Sequence, residues 1–310
     1  MKYLIARLKL LLNLLISTFI FYFFLVKKNK GELSTGLDLV VFSKDRPFQL
    51  KSYLLSVLIN VKGINSITVL YTSTSDDIHN RYATLLLLNC FKDVHFVQQK
   101  KSFKIELISI LDKINSNYMM FAVDDMLVFD KIDTKNIILN LKEKSIFSMR
   151  LGRNIKYSYT LNKPQTLPDN YHNDKLTGFI SWKVKDGIAD FSYPMSVDMH
   201  IFPSILIKNL SKWLMYTAPN SYEGALSLSS LFIGNWDLVS FHYSKCINLP
   251  LNKVQDENNN RSEDDTSIDR FMVDFDNGYC FDPNSINKEF VSSPHQVLAI
   301  KKIKCQELNI

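Results

Sequence analysis

From Leu37 to Phe129, apolar runs and polar breaks alternate regularly along the chain. The run "LDLVVFS" (37–43) has the length and β-branched content of a buried strand. "KDRP" ends it, with Asp45 placed to cap a helix and Pro47 suited to a first helical turn. Leu50, Tyr53, Leu54, Val57, Leu58 and Val61 then share one face of a helix. "SITVLYTS" reads as a second strand closing on polar "TSDD". "RYATLLLLNC" follows as a helix and "VHFVQQ" as a third strand. Phe103, Leu107, Ile110, Leu111 and Ile114 recur at helical spacing. "YMMFAV" is the fourth strand, and Asp124 and Asp125 follow it directly.

Strands that alternate with helices in this way imply parallel pairing through crossover helices. In open sheets of that kind, ligands bind beyond the carboxyl ends of the strands. The acid pair and the polar ends "SKDRP" and "TSTSDD" should therefore share one rim. After residue 145 the alternation is less regular. "SIFSMRLG", "GFISWKV" and "WDLVSFHYS" read as strands, with a polar loop around "NKPQTLPDNYHND". "ILIKNLSKWL" and "YEGALSLSSLF" read as helices. "DENNNRSEDDTS" (256–267) has almost no apolar content and is expected to be a loop.

The first 36 residues change the picture. Leu10 to Val26 is an uncharged stretch of 17 residues, the lower limit for crossing a hydrocarbon core of about 30 Å. No small-residue cleavage site follows it, so a retained anchor is expected rather than a cleaved signal. The alternatives are a helix lying in the membrane interface or one buried against the domain. Residues 1–30 are thus read as a membrane anchor, 31–36 as a linker and 37–310 as the globular domain. Lys/Arg flank both ends of the stretch, and Lys44 and Arg46 tip the domain toward the cytoplasmic side of a bacterial inner membrane, with a luminal orientation still open.

The formal charge of +6 belongs to this segment, because Lys2, Arg7, Lys9, Lys27, Lys28 and Lys30 all precede residue 31. The remainder is close to neutral, which argues against a nucleic-acid partner. Cys90, Cys246, Cys280 and Cys305 form no C-x-x-C and read as isolated buried thiols.

Two adjacent buried carboxylates need partners. Either they cap a turn, or they meet a divalent cation, which binds through one or two carboxylates together with phosphate oxygens. His200, His242 and His295 could each complete such a metal site, although a lone histidine is more often structural. Trp182, Trp213 and Trp236 suit either sugar stacking or the core.

Residues 37–130 resemble the nucleotide-sugar-binding half of glycosyltransferases with the GT-A fold. The resemblance is carried by "VVFSKDRPFQLKSYLLSV", "ITVLYTSTSDD" and "YMMFAVDDMLVF". Later stretches, "SYPMSVDMHIF", "APNSYEGALS" and "LPLNKVQDENNNR", resemble parts of a bacterial, family 2-like glycosyltransferase group. The implied fold is a Rossmann-like α/β sandwich with a mostly parallel central sheet. Residues 37–144 would bind the nucleoside-diphosphate sugar, and 145–310 the glycan or lipid-linked acceptor.

In that family the acidic motif holds Mn²⁺ or Mg²⁺ against the diphosphate. By resemblance Asp125 takes the metal, and Asp124 takes the metal's outer ligands or the ribose. The base and ribose would lie near Ser43, Asp45, Arg46, Thr72 and Asp76. The family spaces its acids two apart, whereas here they are adjacent and position 126 is Met. Both can face one ion only where the strand has already turned. The acceptor hydroxyl must lose a proton, and Asp198 in "SVDMH" and Glu223 in "NSYEGA" are the carboxylates placed to take it. The implied activity is sugar transfer for a surface polysaccharide or glycoconjugate. The alternatives are a nucleotidyltransferase making the activated sugar, which the Gly-free "FSKDRPFQ" argues against, and a sugar-nucleotide-binding protein without catalysis.

Overall fold

The computed structural model describes residues 2–26, 33–251 and 268–308. One sheet collects β1 (Ser34–Lys44), β2 (Ser66–Thr72), β3 (Val94–Gln98), β4 (Ser116–Val123), β5 (Ser145–Ser148), β6 (His172–Asp174), β7 (Phe179–Lys183), β8 (His200–Pro203) and β9 (Asp237–Phe241). Across the sheet the order is β6-β7-β9-β5-β8-β4-β1-β2-β3. All but β7 and β8 point the same way. The expected α/β architecture with a mostly parallel sheet is therefore present. β1 and β4 are buried on both faces, as the continuous apolar runs Leu39–Phe42 and Met119–Ala122 require.

The helices are α1 (Lys2–Val26), α2 (Pro47–Asn60), α3 (Asp76–Leu86), α4 (Phe103–Lys113), α5 (Thr134–Asn140), α6 (Ser204–Trp213), α7 (Pro219–Ser227) and α8 (Ile268–Asp276). α2 starts at Pro47 as expected, but Asp45 does not cap it. Arg46 is the N-cap residue and makes no side-chain cap bond. Asp45 instead adopts a left-handed conformation (φ 56°) and accepts the Thr74 amide at 2.7 Å, tying the β1 and β2 ends together. α2 also buries more than one face, since Gln49, Lys51 and Ser52 are enclosed along with its apolar residues. α3 begins earlier than the apolar pattern suggested, because the Ser75 hydroxyl accepts the Ile78 amide and starts it at Asp76.

Two elements depart from the sequence reading more usefully. β1 extends back to Ser34 and takes in residues 34–36 of the expected linker, pairing with Ser116 before a register shift. β8 was not visible as a strand. It has four residues and ends in proline, yet it inserts antiparallel between β4 and β5. That insertion brings Asp198 level with the end of β4, because the Met199 amide donates to the Phe121 carbonyl at 2.8 Å. The polar stretch 256–267 lies outside the described residues.

The cysteines are not all isolated. Antiparallel pairing of Tyr279–Phe281 with Lys302–Lys304 places Cys280 and Cys305 two rungs apart. The hydrogen bond to Cys280 lowers the Cys305 thiol to about 7, against the opposing effect of burial. Burial pushes Cys246 the other way. Cys305 should therefore be alkylated by iodoacetamide at pH 7.5 well before Cys246, as mass spectrometry of a short time course would show.

Candidate functional site

The sheet reverses its winding between β1 and β4, since β2 and β3 extend to one side of β1 and β4 lies on the other. Such a switch point leaves a crevice at the carboxyl ends of the two strands. Ser43, Asp45 and Arg46 leave β1 there, and Asp124 and Asp125 leave β4.

The two carboxylates are held by a closed set of donors. Asp124 Oδ2 accepts the Ser43 hydroxyl at 2.8 Å and the Lys44 amide at 3.1 Å. Asp124 Oδ1 accepts Arg46 Nη1 at 3.2 Å, and the same nitrogen donates to Asp125 Oδ2 at 2.8 Å. Asp125 Oδ1 accepts Asn248 Nδ2 at 2.7 Å. Tyr82 supports the group from α3, with its hydroxyl 2.6 Å from Ser43 Oγ and accepting the Arg46 amide at 3.1 Å. Burial raises the Asp124 carboxyl to about 6, with Arg46 opposing the shift and Asp125 adding to it.

The place between the acids where the divalent cation was expected is taken by the Arg46 guanidinium. Each carboxylate oxygen already has a donor, and the positive charge between the acids is the Arg46 guanidinium. Among the described residues no three His, Cys, Asp or Glu side chains gather to ligate a metal. His200 is fully buried, its Nδ1 is 2.8 Å from the Pro194 carbonyl, and burial lowers it to about 3, so it stays neutral. His242 is half-buried, and its carbonyl accepts the Arg153 amide. Thr72 contributes its carbonyl to the Asp45 amide at 3.2 Å, while Asp76 stands exposed in the first turn of α3. Trp182 and Trp236 belong to the core, and Trp213 is exposed.

A second cluster lies beside the first. Asp198 Oδ2 is 2.8 Å from Arg150 Nη1 and 3.2 Å from His295 Nε2. Burial pushes the Asp198 carboxyl up, but Arg150 and His295 outweigh it and hold it at about 2. The Ser196 hydroxyl donates to Glu223 Oε1 at 2.8 Å and accepts the Asp198 amide at 3.2 Å, so one serine links the two expected proton acceptors. The Val197 amide also reaches Glu223 Oε1, at 3.2 Å. Burial, and then the charge of Asp198, raise Glu223 above the usual carboxylate range. Met199 between these groups has φ 56°, a strained conformation for a side chain of this kind.

Asn248 joins the clusters. Its strand, Cys246–Asn248, pairs with Met126–Val128 and so faces the turn after Asp125. Its side chain holds Asp125 while its backbone bridges to His295. The sequence reading missed Arg150 and Asn248. Arg150 had a signal, because a lone charge in the buried run "SIFSMRLG" demands a partner. Asn248 had none, since its partner is 123 positions away.

No family model matches the chain. It is similar to the bifunctional glycosyltransferase pgtA of Dictyostelium discoideum, at 27% identity over 89% of this chain. The chain spans 39% of that protein's length. Among solved structures, residues 1–349 of S. aureus TarS in complex with UDP-GlcNAc align over 78% of this chain and 66% of that one, with a TM-score of 0.48 and 10% identity. The same fragment with UDP aligns over 67% of this chain and 58% of that one, at a TM-score of 0.44 and 11% identity.

Proposed function

We propose that the chain is a glycosyltransferase of GT-A type that moves a sugar from a nucleoside-diphosphate donor to a hydroxyl acceptor. The observation that carries this reading is the Asp124–Asp125–Arg46 group at the switch point, set directly beside a second carboxylate cluster. The name of the pgtA relative supports it. The two clusters divide the work. The donor lies at the β1–β4 crevice, and the acceptor approaches from the Asp198–Glu223 side.

Ser43, Asp45 and Thr72 shape the floor that receives the base and ribose, with Asp76 at its outer edge. Asp124 accepts Ser43, Lys44 and Arg46 at the end of β1, and so fixes the rim that the ribose meets. Arg46 is the cation nearest the crevice. Held through Nη1 by both acids, its guanidinium can meet the diphosphate and offset the charge that grows on it as the glycosidic bond breaks. No step in this scheme requires an added metal.

Glu223 suits proton abstraction better than Asp198. A base works best when its pKa approaches the working pH. Glu223 is raised, whereas Asp198 is pinned low by Arg150. Asp198 then orients His295 and Ser196 around the acceptor hydroxyl.

Titration calorimetry with UDP and other nucleoside diphosphates tests the donor half, and release of nucleoside diphosphate from a sugar nucleotide tests transfer. Saturable binding that is unchanged by EDTA or by Mn²⁺ is expected. Binding that appears only with Mn²⁺ would show that Arg46 yields its place to a metal. Absence of binding to any nucleotide would remove the glycosyltransferase reading.

A further inference from the structure

α1 is apolar over most of its surface and docks through a stripe that includes two polar side chains. A surface helix normally turns its apolar stripe inward and its polar stripe to water. Here the inward stripe is Asn13, Ser17, Ile20 and Phe21, all buried. Asn13 makes two bonds to the Met215 backbone, Nδ2 to the carbonyl at 3.2 Å and the amide to Oδ1 at 2.7 Å. Ser17 Oγ is 3.1 Å from Ser229 Oγ, and Phe21 stacks on Phe232 at 5.7 Å. The outward stripe includes Leu8, Leu11, Leu12 and Leu15, which are 57%, 56%, 38% and 66% exposed.

The domain also exposes apolar side chains near the points where the helix docks. Met215 lies where Asn13 docks, and Trp213 two residues before it is 60% exposed. Leu231, in the turn Leu228–Phe232 that carries Ser229, is 72% exposed. All three are apolar side chains exposed close to the contacts that dock α1. Lys212 lies 5.9 Å from the Trp213 ring, and the sequence places Lys9 near one end of the helix and Lys27, Lys28 and Lys30 beyond the other.

We propose that this surface lies flat in one leaflet of an anionic bilayer, with α1 in the plane of the membrane rather than across it. A spanning helix would carry Asn13 and Ser17 to mid-bilayer, and with them the folded domain they hold. The docked position excludes that arrangement unless those bonds break. An in-plane helix buries its apolar stripe to the depth of the acyl boundary, while lysines reach the headgroups. Tryptophan favours that same depth. The flanking lysines also select the occupant. Two copies meeting face to face would bring like charges together, whereas anionic headgroups neutralise them.

The full chain should sediment with phosphatidylcholine vesicles containing phosphatidylglycerol at least tenfold more than with phosphatidylcholine alone. The double variant Leu11→Glu, Leu15→Glu should lose that binding at an unchanged melting temperature. Lipids brominated near the headgroup should quench Trp213 fluorescence, with the quenching lost in Trp213→Phe. Alkaline carbonate should release the bound protein. Retention in the carbonate-washed pellet would establish a span and overturn the proposal. So would vesicle binding that survives the double glutamate variant. A chain that is dimeric in light scattering, and becomes monomeric in that variant, would assign the face to a second copy instead.

Discussion

Replacing Asp125 with alanine is expected to lower the rate of sugar transfer roughly 10²–10³-fold, the range seen when one preorganised electrostatic contact is removed, while the melting temperature stays near that of the parent. The two effects separate because of how the group is built. Asp125 is the more exposed of the pair, at 14% against 5% for Asp124. Its removal leaves Arg46 still paired with Asp124, so no buried charge is stranded. Arg46 nevertheless loses the shorter of its two bonds, and Asn248 loses its acceptor. The guanidinium is then no longer held at one angle, and a small misplacement of a charged group is costly in transfer chemistry. Initial rates with a sugar nucleotide, compared with thermal unfolding of the same sample, check this. Parent-like turnover in a folded variant would remove Asp125 from the mechanism.

Arg150→Met is expected to act on the fold itself. Arg150 and Asp198 have side-chain exposures of 2% and 9%. Removing Arg150 leaves the buried Asp198 carboxylate with His295 alone, and breaking a buried ion pair costs about 3–5 kcal/mol. The loss has a characteristic pH dependence. In the parent, Asp198 sits at about 2, below its unfolded value, so its stabilising contribution is complete above pH ~4 and is lost as pH falls through about 2. Without Arg150, burial is opposed by the histidines alone and the carboxyl rises from its parent value. The folded variant then binds that proton more tightly than the folded parent, and the gap between them grows as pH rises. Urea unfolding should show a wide gap between parent and variant at pH 7.5 that narrows on acidification toward pH 4. A gap independent of pH would mean that lost packing, and not the stranded carboxylate, sets the cost.

The part of the fold built from β1 to β4 was legible because its strands are uninterrupted apolar runs and its crossovers are amphipathic. Those signals are local. The later part was less so, because its strands are short and pair across long separations. β8 shows the difficulty: "HIFP" has no alternation to mark it, and only its partners β4 and β5 make it a strand. The site followed the same division. Ser43, Asp45, Arg46, Asp124 and Asp125 could be placed on one rim from strand order alone. The role of Arg46 as the cation between the acids could not, because a side chain's choice between solvent and a carboxylate 78 positions away depends on the packed crevice. The Arg150–Asp198 pair was hidden for the same reason.

β8 also decides how this chain could be taken apart. A strand from the half after residue 144 is wedged against β4. A fragment ending there would expose the backbone of Tyr118, Met119 and Met120, which β8 normally covers, and bare ribbons of that sort stick to one another. Grafting a new donor specificity onto this scaffold would therefore require carrying residues 198–203 along with the first four strands.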